Sequence, residues 1–224
     1  MRIVAVVQQK GGVGKTTIAV NLAAVTAEHS RVLVVDADHV QHSATDWAEA
    51  SESEGATAWP FDFTDDARPE VLSQLRAASD YDTIIVDTPG SLAPSEIQRT
   101  GLVLDSADFV IVPMEPQPLS VTPLMRTIKS VIEPRGLEYR VLLSRVGREE
   151  AQQKRRDETI ARLDDMGIPR LRTVIRQYVV HSDAPATGGV VTTYPESRQT
   201  VHAISDFSSL ALELTSIWAN GRNK

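Results

Sequence analysis

Cysteine is absent from the 224-residue sequence. Its absence excludes a disulfide framework, a thiolate-held metal and a cysteine nucleophile. Long apolar runs are also missing, and no stretch approaches the ~20 residues that a membrane-spanning helix needs. The N-terminal apolar run covers only residues 3–7 and leads straight into glycines, unlike the longer apolar core of a secretory signal. Aromatic residues make up 5% of the chain, but apolar residues as a whole reach 42%. That is enough for the core of one large α/β domain spanning residues 1–224. Positive charge is scarce too. The net charge of −7 is the wrong sign for a constitutive nucleic-acid binder.

The charge is unevenly placed. Residues 46–82 hold ten acidic and two basic side chains, whereas residues 145–176 hold nine basic and six acidic ones. An anionic partner is therefore expected to meet the second half of the chain, with a solvated mixed-charge surface as the plainer alternative.

Short Val/Ile/Leu runs alternate with helical patterns. Strands are expected at residues 2–8, 31–35, 83–86, 109–112, 140–143 and 171–175. Helices are expected at 17–28, 69–78, 121–133, 149–166 and 200–219, and an acidic surface loop or irregular helix at 50–66. Apolar runs without alternation point to strands buried on both faces. The predicted fold is α/β: a doubly wound, mostly parallel sheet flanked by helices, with ligands at the carboxyl ends of the strands. The chemically promising polar residues fall at those ends.

Strand 2–8 runs into Lys10-Gly11-Gly12-Val13-Gly14-Lys15-Thr16-Thr17 and then into a helix. Glycines let backbone N–H groups close around phosphate oxygens, and the helix start adds its positive dipole end. This is a P-loop: Lys15 reaches the β- and γ-phosphates, and Thr16 binds Mg²⁺. Where many P-loops open on glycine this one has Gln9, followed by a second lysine, Lys10. Two further apolar strands end in aspartates, in Val35-Asp36-Ala37-Asp38 and in Val86-Asp87-Thr88-Pro89-Gly90.

These three motifs resemble the ParA/MinD family of deviant Walker A ATPases, and most closely the small ParA-type partition ATPases. The resemblance extends from about residue 2 to 219 and implies a P-loop NTPase fold with ATP and Mg²⁺ as cofactors. It implies nucleotide contacts from Gly11, Gly12, Val13, Gly14, Lys15, Thr16 and Thr17, and Mg²⁺ contacts from Thr16, Asp36 and Asp87. Asp38 orients the attacking water, and Lys10 reaches the partner's phosphates across a nucleotide-sandwich homodimer. The late segment from Ile175 to Pro185 resembles the family's adenine-side region, and the resemblance places the adenine contacts near Ser144, Arg145, Arg176 and Gln177. After Asp38 the family usually continues Pro-Gln, whereas this chain has His39-Val40-Gln41-His42-Ser43. The two histidines raise the alternative of a zinc site.

The resemblance further implies a cytoplasmic, nucleoid-associated partition ATPase. Its ATP dimer binds non-specific DNA, through residues 145–176 and Arg198, and a ParB-like adaptor stimulates hydrolysis. No extra N-terminal DNA-binding domain is expected. One alternative is a cargo-positioning relative acting on a protein compartment. Another is a MinD-like membrane-surface ATPase, which calls for a basic amphipathic tail. The 200–219 helix carries Asp206 and Glu213 and no lysine or arginine, so it is expected to pack on the core without stable membrane association, and only Arg222 and Lys224 follow it. Lack of cysteine removes the ligands that an iron–sulfur relative on this fold would need. No acid/base constellation suggests a small-molecule kinase.

Overall fold

The computed structural model describes residues 1–52, 57–78, 80–91 and 93–221. Part of the 50–66 segment, and Arg222 and Lys224, lie outside the described residues. Seven strands form one sheet in the order β3-β2-β4-β1-β5-β6-β7, and every pair is parallel. They are β1 (Arg2–Val6), β2 (Val32–Asp36), β3 (Asp62–Thr64), β4 (Thr83–Asp87), β5 (Phe109–Met114), β6 (Tyr139–Val146) and β7 (Arg170–Arg176). The chain runs from β1 out to β2 and β3 on one side, returns to β4 beside β1, and then crosses to β5, β6 and β7 on the other. Its loops therefore diverge at the carboxyl end of β1, where such sheets bind ligands.

Successive strand residues point to opposite faces. Val4, Val6, Val34, Ile85 and Ile111 pack on one side with α1 (Lys15–Thr26), α2 (Ser43–Ser51) and α8 (Arg198–Gly221). Ile3, Ala5, Val35, Ile84, Val86 and Val112 pack on the other with α3 (Pro69–Leu72), α4 (Pro94–Ser106), α5 (Val121–Thr127) and α6 (Glu150–Asp165). Both faces are covered, which explains the unalternating apolar strands. A one-turn helix, α7 (Val180–Asp183), joins the first layer.

The last helix packs on the sheet as expected, burying Ala203, Phe207, Leu210 and Leu214. Truncating Phe207 there would cost about 3–5 kcal/mol. Val201 is half exposed, because it lies in the first turn of α8, off the buried stripe. Two expectations need correction, and the helical 121–133 segment is refined. Segment 69–78 is only one helical turn followed by a 3₁₀ turn at Leu75–Ala77. Segment 121–133 is a short helix that widens into a π turn at Ile128–Ile132 and tightens into a 3₁₀ turn around Pro134. In 50–66, the described residues contain the end of α2 and the edge strand β3, not just loop. Among the described residues no helix is long and apolar enough to cross a membrane.

Candidate nucleotide-binding site

The glycine loop starts where β1 ends. Gly12 and Gly14 have φ of +76° and +86°, a left-handed conformation that glycine adopts without steric cost. Gln8 anchors the root of the loop. Its buried side-chain amide donates to the Pro113 carbonyl at 3.2 Å, and its Oε1 accepts from the Thr127 hydroxyl at 2.7 Å and the Lys10 N–H at 3.3 Å. Ser144 at the end of β6 donates to the Val13 carbonyl at 2.8 Å. The loop is thus stitched to two neighbouring strands, and Lys15 is buried at the head of α1.

Strand register brings the carboxylates together: Asp36 on β2 is directly opposite Asp87 on β4. Thr16 Oγ1 donates to Asp87 Oδ2 at 2.5 Å, while Asp87 Oδ1 is buried with no hydrogen-bond partner. Burial pushes the Asp87 carboxyl up to about 7 against the lowering effects of the Lys15 charge and the Thr16 hydroxyl, and Asp36 and Asp38 push it further up. A buried carboxylate with one bare oxygen, beside a threonine hydroxyl, suits a hard divalent cation. The residues present therefore fit Mg²⁺, with Thr16 and Asp87 to hold it.

Asp36 works differently. Burial raises its pKa, but hydrogen bonds from the Thr45 hydroxyl (2.8 Å), the Asp38 N–H (2.9 Å) and the Thr45 N–H (3.0 Å) oppose that rise. Both of its oxygens therefore order the segment that carries Asp38. Asp38 in turn accepts from the Gln41 N–H at 3.1 Å and holds the loop around itself.

A cavity of about 310 Å³ opens from the glycine loop. Its lining includes Gly12, Gly14, Lys15, Thr16, Thr17 and Asp38 together with Trp47, Ser144, Ile175, Gln177, Tyr178 and Pro185. Gln177 lines this cavity. Arg176 does not, because its guanidinium pairs with the buried Asp206 of α8. A buried carboxylate needs a charged partner, and that need holds the arginine away from the cavity. Tyr178 and His181 of the late segment also line the cavity, as does Trp47, which was not anticipated. The one sequence signal for Trp47 is its buried stripe with Ala44 and Ala48 on α2.

Lys10 donates to the Ser120 hydroxyl at 3.1 Å and lies 3.9 Å from Glu115. His39 faces a different partner: its Nδ1 lies 3.2 Å from Oε1 of the fully buried Glu96, without the alignment of a hydrogen bond. Among the described residues no cluster of three or more His, Cys, Asp or Glu could hold a metal ion, so the His39/His42 zinc alternative finds no support. Of the basic residues in 145–176, Arg156 pairs with Asp157 and Arg170 with Asp164, and Arg145 lies at the glycine loop. Arg155, Arg162 and Arg172 are exposed, as is Arg198.

Strand, glycine loop and helix, with two aspartates in register beside the loop, define a P-loop nucleotide-binding domain. Residues 4–191 match the CobQ/CobB/MinD/ParA nucleotide-binding domain, and the chain belongs to that family. It is an ATPase, with ATP and Mg²⁺ as its cofactors. It is 37% identical over 220 residues to the maintenance of carboxysome distribution protein A of Gloeobacter kilaueensis, covering 97% of this chain and 95% of that one. It is 30% identical over 188 residues to the protein of the same name from Halothiobacillus neapolitanus, covering 82% and 83%. Its fold matches the septum site-determining protein MinD of Pyrococcus horikoshii, solved with Mg-ADP, at a TM-score of 0.70 and 26% identity over 95% of each chain.

Proposed function

We propose that this ATPase positions a protein compartment inside the cell. Its Mg-ATP state forms a nucleotide-sandwich dimer that holds non-specific DNA, and an adaptor protein on the compartment stimulates hydrolysis and release. The observation that carries this reading is the end-to-end likeness to a carboxysome distribution protein, 37% identical over 97% of the chain. That likeness favours a protein cargo over the plasmid or chromosome cargo first expected.

Bound Mg-ATP supplies the phosphoanhydride bond that water cleaves, so the protein's task is positioning and charge stabilisation. Lys15 and the N–H groups of Gly11–Thr17 bind the phosphates. Thr16 and Asp87 hold the metal, with Asp36 ordering the adjoining loop. Asp38 orients the attacking water, and Lys10 adds positive charge to the partner subunit's phosphates. Gln177, rather than Arg176, contacts the base. DNA meets the exposed arginines of the second half of the chain, and dimerisation doubles a patch too weak to bind alone.

Deleting the gene in its source cell and imaging the compartments tests this assignment. The expected outcome is compartments that clump or drift while plasmids and chromosomes segregate normally. Evenly spaced compartments alongside plasmid or chromosome loss would overturn the cargo assignment.

A further inference from the structure

Two cations at the mouth of the glycine loop share one carboxylate. Glu115 directly follows β5, and its side chain is largely buried, at 15% exposed. Its Oε1 accepts from Arg145 at 3.2 Å, and its Oε2 lies 3.9 Å from the ammonium of Lys10. Arg145 also donates to the Gly12 carbonyl, which links Glu115 to the phosphate-binding backbone. Arg145 has φ +53°, a left-handed conformation that costs a non-glycine residue energy, at the irregularity in β6 between Leu143 and Val146. Lys10 is held a second time by the hydroxyl of the buried Ser120. The lysine that the dimer needs in trans is thus held in cis by two groups of its own subunit.

We propose that Glu115 is a positioning residue for Lys10, setting how readily ATP drives dimerisation. The inference rests on the sandwich-dimer reading given above. Lys10 must leave Glu115 and Ser120 before it can reach a partner's phosphates, and the attraction lost on leaving opposes association. Phosphate oxygens and the Glu115 carboxylate offer the same kind of partner to a cation, so they compete for it. Neutralising Glu115 while keeping its shape should favour the dimer, and because Arg145 keeps its bond to the Gly12 carbonyl, the affinity for Mg-ADP checks that the glycine loop is undisturbed.

Glu115→Gln tests this by sedimentation of the full chain with Mg²⁺ and a non-hydrolysable ATP analogue. The dimer dissociation constant should fall about 10-fold, equivalent to ~1.4 kcal/mol, with Mg-ADP affinity unchanged within 2-fold. Glu115→Asp, which keeps the charge, should stay near the wild type. In the Lys10→Ala background Glu115→Gln should gain nothing. Should Glu115→Gln fail to fold, Ser120→Ala must shift the dimer constant in the same direction by a smaller factor. A Glu115→Gln or Ser120→Ala dimer no tighter than wild type, or a gain that persists without Lys10, overturns the positioning role. A wild-type chain that remains monomeric with the analogue at high protein concentration contradicts the sandwich dimer, and the positioning role with it.

Discussion

Thr16 Oγ1 donates to Asp87 Oδ2 at 2.5 Å and leaves Asp87 Oδ1 buried and bare. The loop that binds phosphate and the strand that ends in the acidic residue are thus joined at the atoms a divalent cation would share. Asp87 carries the resulting electrostatic cost, its carboxyl raised to about 7 mainly by burial.

That shift fixes a pH dependence. Without Mg²⁺, the unfolded chain releases the Asp87 proton near pH 4 while the fold retains it to about 7. Between those values rising pH therefore favours unfolding, by an amount of order 4 kcal/mol at most. Asp87→Asn should remove this dependence, and Mg²⁺ affinity should rise with pH through 7. Urea unfolding at pH 5 and 8, with wild type and variant, measures it. A wild-type slope unchanged in Asp87→Asn would contradict the burial argument.

His181 has the opposite sign. Burial lowers its pKa to about 4, although Asp206 pulls it upward. Between about 4 and 6.5 the unfolded chain binds a proton that the fold refuses, so stability falls as pH drops through this window. His181→Phe should flatten that loss, and urea titrations at pH 4.5 and 7 compare the two chains directly.

Lys15 is placed by its neighbours as well as by the glycine loop. A Cβ added at Gly90 would lie 2.8 Å from Lys15 Nζ. Gly90→Ala should therefore displace the ammonium and weaken ATP binding about 10-fold, or ~1.4 kcal/mol. Lys15→Ala should leave no measurable ATP binding. Fluorescent-nucleotide titration reads both. A Gly90→Ala chain with wild-type affinity would show that Lys15 can bind phosphate from another position.

Asp38 is held by backbone N–H groups beside the cavity and takes no part in the Thr16–Asp87 pair. Asp38→Ala should preserve ATP binding within a few fold, lower hydrolysis by ~10²-fold or more, and let the ATP dimer accumulate. Phosphate release and gel filtration on the same sample separate the two effects. Normal turnover would reassign the water-orienting role.

His39 and Glu96 are 57 positions apart in sequence, and the fold brings them to 3.2 Å. Glu96 is fully buried, one of its oxygens has no partner, and the guanidinium of Arg99 is 3.9 Å away. His39→Ala should lower stability by removing the polar ring that lies against this buried carboxylate. Chemical denaturation checks this, and an unchanged midpoint would mean that Glu96 does not depend on His39.

What the sequence made legible was local. A strand running into Gly11–Gly14 and a helix, and apolar strands ending in Asp36 and Asp87, are patterns of adjacent residues whose chemistry is readable before folding. Helix α4 escaped notice because its buried face mixes Glu96, Thr100 and Gly101 with only two large aliphatics, Val103 and Leu104. Strand β3 is three residues long and leaves no period to detect. The misplacement of Arg176 has a different origin. Its partner, Asp206, is 30 residues away on another element. Only the packing of α8 on β7 shows that the guanidinium has a buried carboxylate to satisfy.

The most direct test of the account is binding of the purified chain to arbitrary duplex DNA with ATP, ADP and no nucleotide, at 50 and 200 mM salt. The account predicts binding with ATP alone, a steep loss of affinity at the higher salt as phosphate contacts give way, and no binding by Lys10→Ala. DNA binding that ignores nucleotide, or none at all while ATP-dependent dimers still form, would contradict it.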